Sequence, residues 1–94
     1  MSKEENNRAV RELYEVLLKL KTPEDCEILL QDLCTHKEVE NMVARIASAR
    51  LLMQGETYTD IMRQTGISSA TLARVSNAVQ YGSGYRKFVG PEKR

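Results

Sequence analysis

The sequence is poor in the residue types that build metal centres and disulfide frameworks. Its 94 residues include one histidine and two cysteines. Cys26 and Cys34 stand in one predicted helix, roughly 12 Å apart at about 1.5 Å per residue, which is too far for a disulfide within that helix. One histidine and two cysteines at this spacing match no zinc pattern. We therefore expect no metal. We also expect no cofactor.

Long apolar runs are also missing. The longest falls far short of the ~20 residues that a membrane span needs, so we expect no membrane partner. The first seven residues, Met1 to Asn7, are polar and lack the apolar stretch of a signal peptide, which favours the cytoplasm. A chain this short buries only about 60 to 65% of its surface on folding, so its own core is thin and a second copy would thicken it.

Charge is unevenly distributed along the chain. The formal net charge is only +1. Residues 1–56 hold eight Lys/Arg and eleven Asp/Glu, a balance of −3, whereas residues 57–94 hold six and two, a balance of +4. The positive charge of residues 57–94 would attract a nucleic acid, whose phosphates are negative.

Glycine and proline are sparse before residue 82, and no strand pattern stands out, so the sequence predicts an all-α fold. Four Ser/Thr residues precede carboxylates at the spacing of a helix N-cap, and the apolar positions behind them recur at helical intervals. The predicted caps are Ser2, Thr22, Thr35 and Thr57. The predicted helices are 3–20, 23–34, 36–54, 57–64 and 69–80.

Residues 57–80 predict a helix-turn-helix. The turn Thr65-Gly66-Ile67 places glycine where a left-handed backbone is needed, and Ser68 can cap the following helix. Two helices that cross steeply would bury four apolar side chains between them, namely Ile61, Ile67, Leu72 and Val75. An ordinary helical hairpin is the alternative interpretation of the same spacing.

The start of the second helix of this pair, the recognition helix, is predicted to be exposed, small and polar. Small side chains allow close approach to base edges, and hydroxyls can bond to bases or phosphates. The residues concerned are Ser68, Ser69, Ala70, Thr71 and Arg74.

Residues 35–80 resemble the Trp repressor family, and most closely its TrpR-related YerC/YecD branch. The resemblance rests on Arg45, Gly55-Glu56, Gly66, Ala70-Thr71, Arg74 and Ser76-Asn77. It implies a Trp repressor-like helical domain that forms an intertwined homodimer and places its helix-turn-helix in successive major grooves of double-stranded DNA. Residues 1–94 then form a single domain, with a dimerisation scaffold at 1–56, the helix-turn-helix at 57–80 and a basic tail at 81–94.

The resemblance also implies a place for a tryptophan corepressor, at Thr35, Arg45 and Arg74. For the two arginines, a solvated or phosphate-contacting role is the equal alternative. The family has glycine where this chain has Val75, whose branched side chain would intrude on the indole ring. We therefore expect tryptophan to bind weakly or not at all, and the sequence identifies no other effector.

Phosphate contacts are expected from side chains around the motif, with Arg86 and Lys87 as further candidates. The expected set is Thr57, Thr59, Arg63, Arg74 and Gln80. Tyr81 and Tyr85 could stack on bases, although packing against the recognition helix is favoured. The tail, which contains glycine and proline, is expected to be flexible or loosely docked.

An enzyme is not expected, because no nucleophile, base and orienting group can be assembled. His36 follows a predicted cap and is expected to be an exposed first-turn residue. The sequence favours a sequence-specific, repressor-like transcription regulator. The alternative is a helical dimeric module that binds another protein of the transcription machinery.

Overall fold

The computed structural model describes residues 2–90, and all of its regular elements are α-helices. Their bounds are α1 Lys3–Leu17, α2 Pro23–Leu33, α3 His36–Met53, α4 Tyr58–Thr65, α5 Ser69–Tyr81 and α6 Gly84–Phe88. No strand occurs in this described part. The all-α prediction is confirmed. The end of the predicted basic tail, residues 91–94, lies outside the described residues.

Helix starts follow the predicted side-chain caps. The amide of Glu5 donates to Oγ of Ser2 at 3.2 Å, and the amide of Asp25 donates to Oγ1 of Thr22 at 3.0 Å. Each bond satisfies one of the amides that an α-helix leaves without an internal partner at its start. Helix α3 begins at His36, directly after the predicted cap Thr35.

Helix α1 ends three residues earlier than predicted, at Leu17 instead of Leu20. The amides of Lys19 and Leu20 bond at the shorter spacing of a 3₁₀ turn, to the carbonyls of Val16 and Leu17. The other four predicted helices end within one residue of their predicted positions.

Helices α1 and α2 form one unit of the structure, and α3 to α6 form a second. Neither helix of the first unit contains a buried residue. Apolar side chains on both are exposed, among them Leu13, Leu17 and Ile28. The first unit thus has exposed apolar side chains on both of its helices.

The core of the second unit joins α3, α4 and α5. It consists of Ala49, Ile61, Ile67, Leu72, Val75 and Val79. The four side chains predicted to be buried in the helix-turn-helix are all in this cluster, and Ile61 and Leu72 have no exposed surface. Burial of one such side chain contributes roughly 1.5–3 kcal/mol.

The expectation of a flexible or loosely docked tail is wrong for residues 84–90. Residues 84–88 form α6, and Tyr85 and Val89 pack against the core of the second unit. The glycines at 82 and 84 suggested a loop, but apolar side chains four residues apart give this short helix a face that it can bury. Within residues 2–90, no helix is long and apolar enough to cross a membrane.

Candidate nucleic-acid interface

Helices α4 and α5 are joined by a tight turn whose geometry follows from two residues. Gly66 ends α4 with φ at 73°, in the left-handed region that L side chains rarely adopt. Ser68 then caps α5, because its Oγ accepts a hydrogen bond of 3.2 Å from the amide of Thr71. The turn predicted at residues 65–67 and the predicted cap at Ser68 are both present.

A polar cluster fixes this turn from within. Oγ1 of Thr65 donates to the carbonyl of Ile61 at 2.8 Å and accepts from the amide of Ile67 at 3.2 Å. Oγ of Ser48, on α3, donates to the same Thr65 oxygen at 3.4 Å. One threonine hydroxyl therefore connects the end of α4, the turn and the helix beneath them.

The leading face of α5 is open to solvent. Ser68, Ser69, Ala70 and Arg74 are exposed, and Thr71 is half-buried. Oγ of Ser68 donates to Oγ1 of Thr71 at 3.0 Å, so the two hydroxyls form a pair. The opposite side of α5 contributes Leu72, Val75 and Val79 to the core. The leading face therefore points away from the core, where a partner can reach it.

The residues predicted to contact phosphates are all exposed: Thr57, Thr59, Arg63, Arg74 and Gln80. Some are already engaged within the chain. Oγ1 of Thr57 accepts from the amide of Asp60, and Nε2 of Gln80 donates to Oγ of Ser76 at 3.5 Å.

Arg63 is held by a carboxylate one helical turn away. Its Nη2 lies 3.0 Å from Oδ1 of Asp60, with the side chains 71% and 41% exposed. The hydrogen bond from Arg63, with a second from Thr57, keeps the pKa of Asp60 below its ordinary value. An exposed pair of this kind is weak, so Arg63 can exchange Asp60 for a phosphate at little cost.

Two of the three residues predicted to hold a ligand lie together. Arg45 and Arg74 line a cavity of about 200 Å³ between α3, α5 and α6. Its other lining residues are Thr71, Val75, Ala78 and Tyr85. Thr35 is the residue directly before α3, at the end of the first unit, and its predicted ligand role stays a prediction.

The remaining candidates divide between solvent and core. Tyr85 packs against the core, as the sequence favoured. Tyr81 is 81% exposed within this chain, so the prediction that its side chain packs against the recognition helix is wrong. His36 is exposed as predicted, and its Nε2 lies 2.8 Å from Oε1 of Glu40. No group of acidic, cysteine and histidine side chains in residues 2–90 is arranged to hold a metal.

Sequence reasoning missed two features of this region. Ser48 is fully buried inside α3 although it is polar, and only its bond to Thr65, 17 residues away, explains the position. Arg86, considered only as a phosphate contact, donates from Nε to the backbone carbonyl of Val79 at 2.7 Å. The apolar spacing of Tyr85 and Val89 was the available signal for α6.

The comparison with protein families agrees with this architecture. The profile of the Trp repressor protein family matches residues 8–90. The chain belongs to that family. Within it, the chain is 39% identical over 72 residues to YerC, an uncharacterised protein of Bacillus subtilis, covering 77% of this chain and 69% of YerC. The predicted membership of the YerC-like branch is confirmed.

Solved structures of Trp repressor-like proteins share the fold. One, a candidate Trp repressor from Staphylococcus aureus, is 32% identical, with a TM-score of 0.84 over 95% of this chain and 92% of that one. Another, a TrpR-like protein from Eubacterium eligens, is 34% identical, with a TM-score of 0.81 over 85% of this chain and 84% of that one. The Trp repressor-like fold is therefore shown for nearly the whole chain.

Proposed function

We propose that this Trp repressor family member is a sequence-specific, repressor-like regulator of transcription that places α5 in the major groove of DNA. The observation that carries the proposal is the leading face of α5, which is small, polar and exposed while the opposite face is buried. The hydroxyls of Ser68, Ser69 and Thr71 can bond to bases or phosphates, and Ala70 leaves room for the helix to approach them. Helices α4 and α5 act as the helix-turn-helix.

Phosphate contacts would set the register of the protein on the duplex. Arg63 and Arg74 are exposed cations on the two helices of the motif, and Thr57, Thr59 and Gln80 are exposed hydrogen-bonding side chains. Contacts of this type supply affinity without reading sequence. The excess of positive charge in residues 57–94 supports the same partner.

The functional form is proposed to be an intertwined homodimer. Two helices without a buried residue cannot be stable as isolated elements in water, and their exposed apolar side chains need a partner. These side chains include Val10, Leu13, Leu17, Ile28 and Leu33. A two-fold dimer would present one recognition helix to each of two major-groove segments roughly 34 Å apart.

Tryptophan is not proposed as the effector of this protein. The cavity between Arg45 and Arg74 is lined by Val75, which is only 3% exposed and belongs to the core, and by Tyr85 from α6. Both side chains line the space that a flat aromatic ligand between the two arginines would enter. We therefore propose that the indole ring is not accommodated here.

Selection of bound fragments from a pool of random duplexes tests the proposed function. We expect the unmodified protein to enrich one two-fold symmetric sequence family. A matched selection with Ser69→Glu, which places a negative charge on the leading face of α5, should enrich nothing. If the unmodified protein also enriches nothing at low salt, DNA binding is contradicted and a protein-interaction module becomes the better account.

A further inference from the structure

The end of α5 is tied to α6 by a charged hydrogen bond. Val79 lies in the last turn of α5, where the carbonyls of an α-helix have no internal partner. Nε of Arg86 donates to this carbonyl at 2.7 Å. Helix α5 has no basic residue in its own last turn, so the guanidinium of Arg86 provides the positive charge that the negative end of the helix dipole favours.

The chain reverses direction within a few residues between α5 and α6. Gly82 ends α5, and a Cβ at this position would lie 2.7 Å from the carbonyl oxygen of Ala78. A side chain here would force that backbone contact apart. Because Gly82 has no side chain, the chain can fold back tightly enough for Arg86 to reach Val79.

An apolar anchor accompanies the hydrogen bond. Tyr85 and Val89 are half-buried against the core of the second unit, and the amide of Val89 donates to the carbonyl of Tyr85 at 2.8 Å. The neighbouring side chains face away: Phe88 is 78% exposed, and Nζ of Lys87 lies 5.3 Å from the centre of its ring. Helix α6 therefore binds α5 through one side only.

We propose that α6 is a built-in brace of the recognition helix and that Arg86 is its positioning residue. The brace fixes the last turn of α5, and with it the direction in which the leading face points. Tyr85 of the brace also forms one wall of the cavity between Arg45 and Arg74. The chain's own side chains thus hold the end of α5, and we expect DNA binding to need no effector. The inference rests on the proposed function.

Hydrogen exchange of the free protein tests the brace without DNA. Arg86→Met removes the donor and the charge but keeps an unbranched stem, and Lys87→Met is the matched control, because it removes one charge from the same helix. The last-turn amides of α5 should exchange about tenfold faster in Arg86→Met, the effect of one charge-assisted hydrogen bond. They should be unchanged in Lys87→Met. Arg86→Lys should restore most of the protection, because an ammonium group can donate to the same carbonyl.

DNA affinity then tests the positioning role. The probes are a duplex selected by the unmodified protein and a random duplex of equal length. Arg86→Met should lower affinity for the selected duplex about tenfold, and affinity for the random duplex much less. The slope of log K against log salt should stay the same, and Arg86→Lys should recover the selected-duplex affinity. Added L-tryptophan should change no affinity.

The outcomes separate the two proposals. Unchanged exchange in Arg86→Met would overturn the brace, and faster exchange with unchanged affinity for the selected duplex would overturn the positioning role of Arg86. A slope shallower by about two units would identify Arg86 as a phosphate contact in each protomer and would also overturn the positioning role. If the unmodified protein binds no DNA, the positioning role is overturned together with the proposed function, while the exchange experiment still decides whether α6 holds the end of α5.

Discussion

Ser48 and Thr65 form a hydrogen bond that joins the scaffold helix α3 to the end of α4. The Ser48 hydroxyl has no exposed surface and donates to Oγ1 of Thr65 at 3.4 Å. The same Thr65 oxygen also bonds to the carbonyl of Ile61 and the amide of Ile67. One hydroxyl group therefore connects the end of α4 to α3 and to the turn.

Thr65→Val should lower the free energy of unfolding by about 1–3 kcal/mol, because it keeps the shape of the side chain but leaves the buried Ser48 hydroxyl and the Ile67 amide without their partner. Denaturant unfolding at one fixed protein concentration measures this. Thr59→Val, the same change at an exposed position of α4, is the control and should have an effect within about 0.5 kcal/mol. Equal losses from both variants would show that the Thr65 cluster contributes nothing specific.

The local part of this fold could be predicted from sequence, because its causes lie within a few residues. The caps at Thr22 and Ser68 each bond to an amide three residues ahead, and Gly66 adopts the left-handed backbone that the turn needs. The burial of Ile61 and Leu72 follows from their helical spacing in the same way.

The rest depends on contacts between residues that are distant in sequence. Nothing near Ser48 indicates that its hydroxyl meets Thr65, and nothing near Arg86 indicates a bond to the carbonyl of Val79. The segment that forms α6 was mispredicted for the same reason. Gly82 and Gly84 predicted a loop, whereas packing of Tyr85 against the core favours a helix.

The two kinds of predicted DNA contact should respond differently to mutation. Arg63→Ala should weaken binding to selected and random duplexes alike and should make the salt slope of a dimer shallower by about two units, because one phosphate contact is lost in each protomer. Arg50→Ala, which removes an exposed charge at the end of α3, is the control. An unchanged slope in Arg63→Ala would contradict its role as a phosphate contact.

Thr71→Ala should reduce the preference for the selected duplex over a random one by about five- to tenfold, because the Ser68–Thr71 hydroxyl pair lies on the leading face of α5. The change leaves the number of charges intact, so the salt slope should not move. Competition binding with both duplexes measures the ratio. If Thr71→Ala weakened both duplexes equally, base readout by this residue would be excluded.

The exposed apolar side chains of α1 and α2 lead to a prediction about assembly. Sedimentation at micromolar concentration should give twice the 10.7 kDa of one chain. Ile28→Glu, at a position that is 65% exposed in the single chain, should shift the equilibrium towards monomer, because a carboxylate would have to be desolvated at the interface. Gln31→Glu on the same helix is the charge-matched control and should remain dimeric. A monomeric mass for the unmodified protein would rule out the homodimer.

Calorimetric titration with L-tryptophan should detect no micromolar binding, because Val75 and Tyr85 line the cavity between Arg45 and Arg74. Val75→Ala removes two methyl groups from the lining, so any residual affinity should increase in that variant. A micromolar dissociation constant for the unmodified protein would contradict this assignment of Val75.

The salt dependence of duplex binding tests the proposed DNA interface most directly. Arg63 and Arg74 are exposed in each protomer, so a dimer should neutralise at least four phosphates and give a slope of log K against log salt of about −4 or steeper. Affinity should then fall by about a hundredfold or more between about 50 and 200 mM salt. A flat dependence, or no binding to any duplex at the lower salt concentration, would contradict the assignment of α5 as a recognition helix.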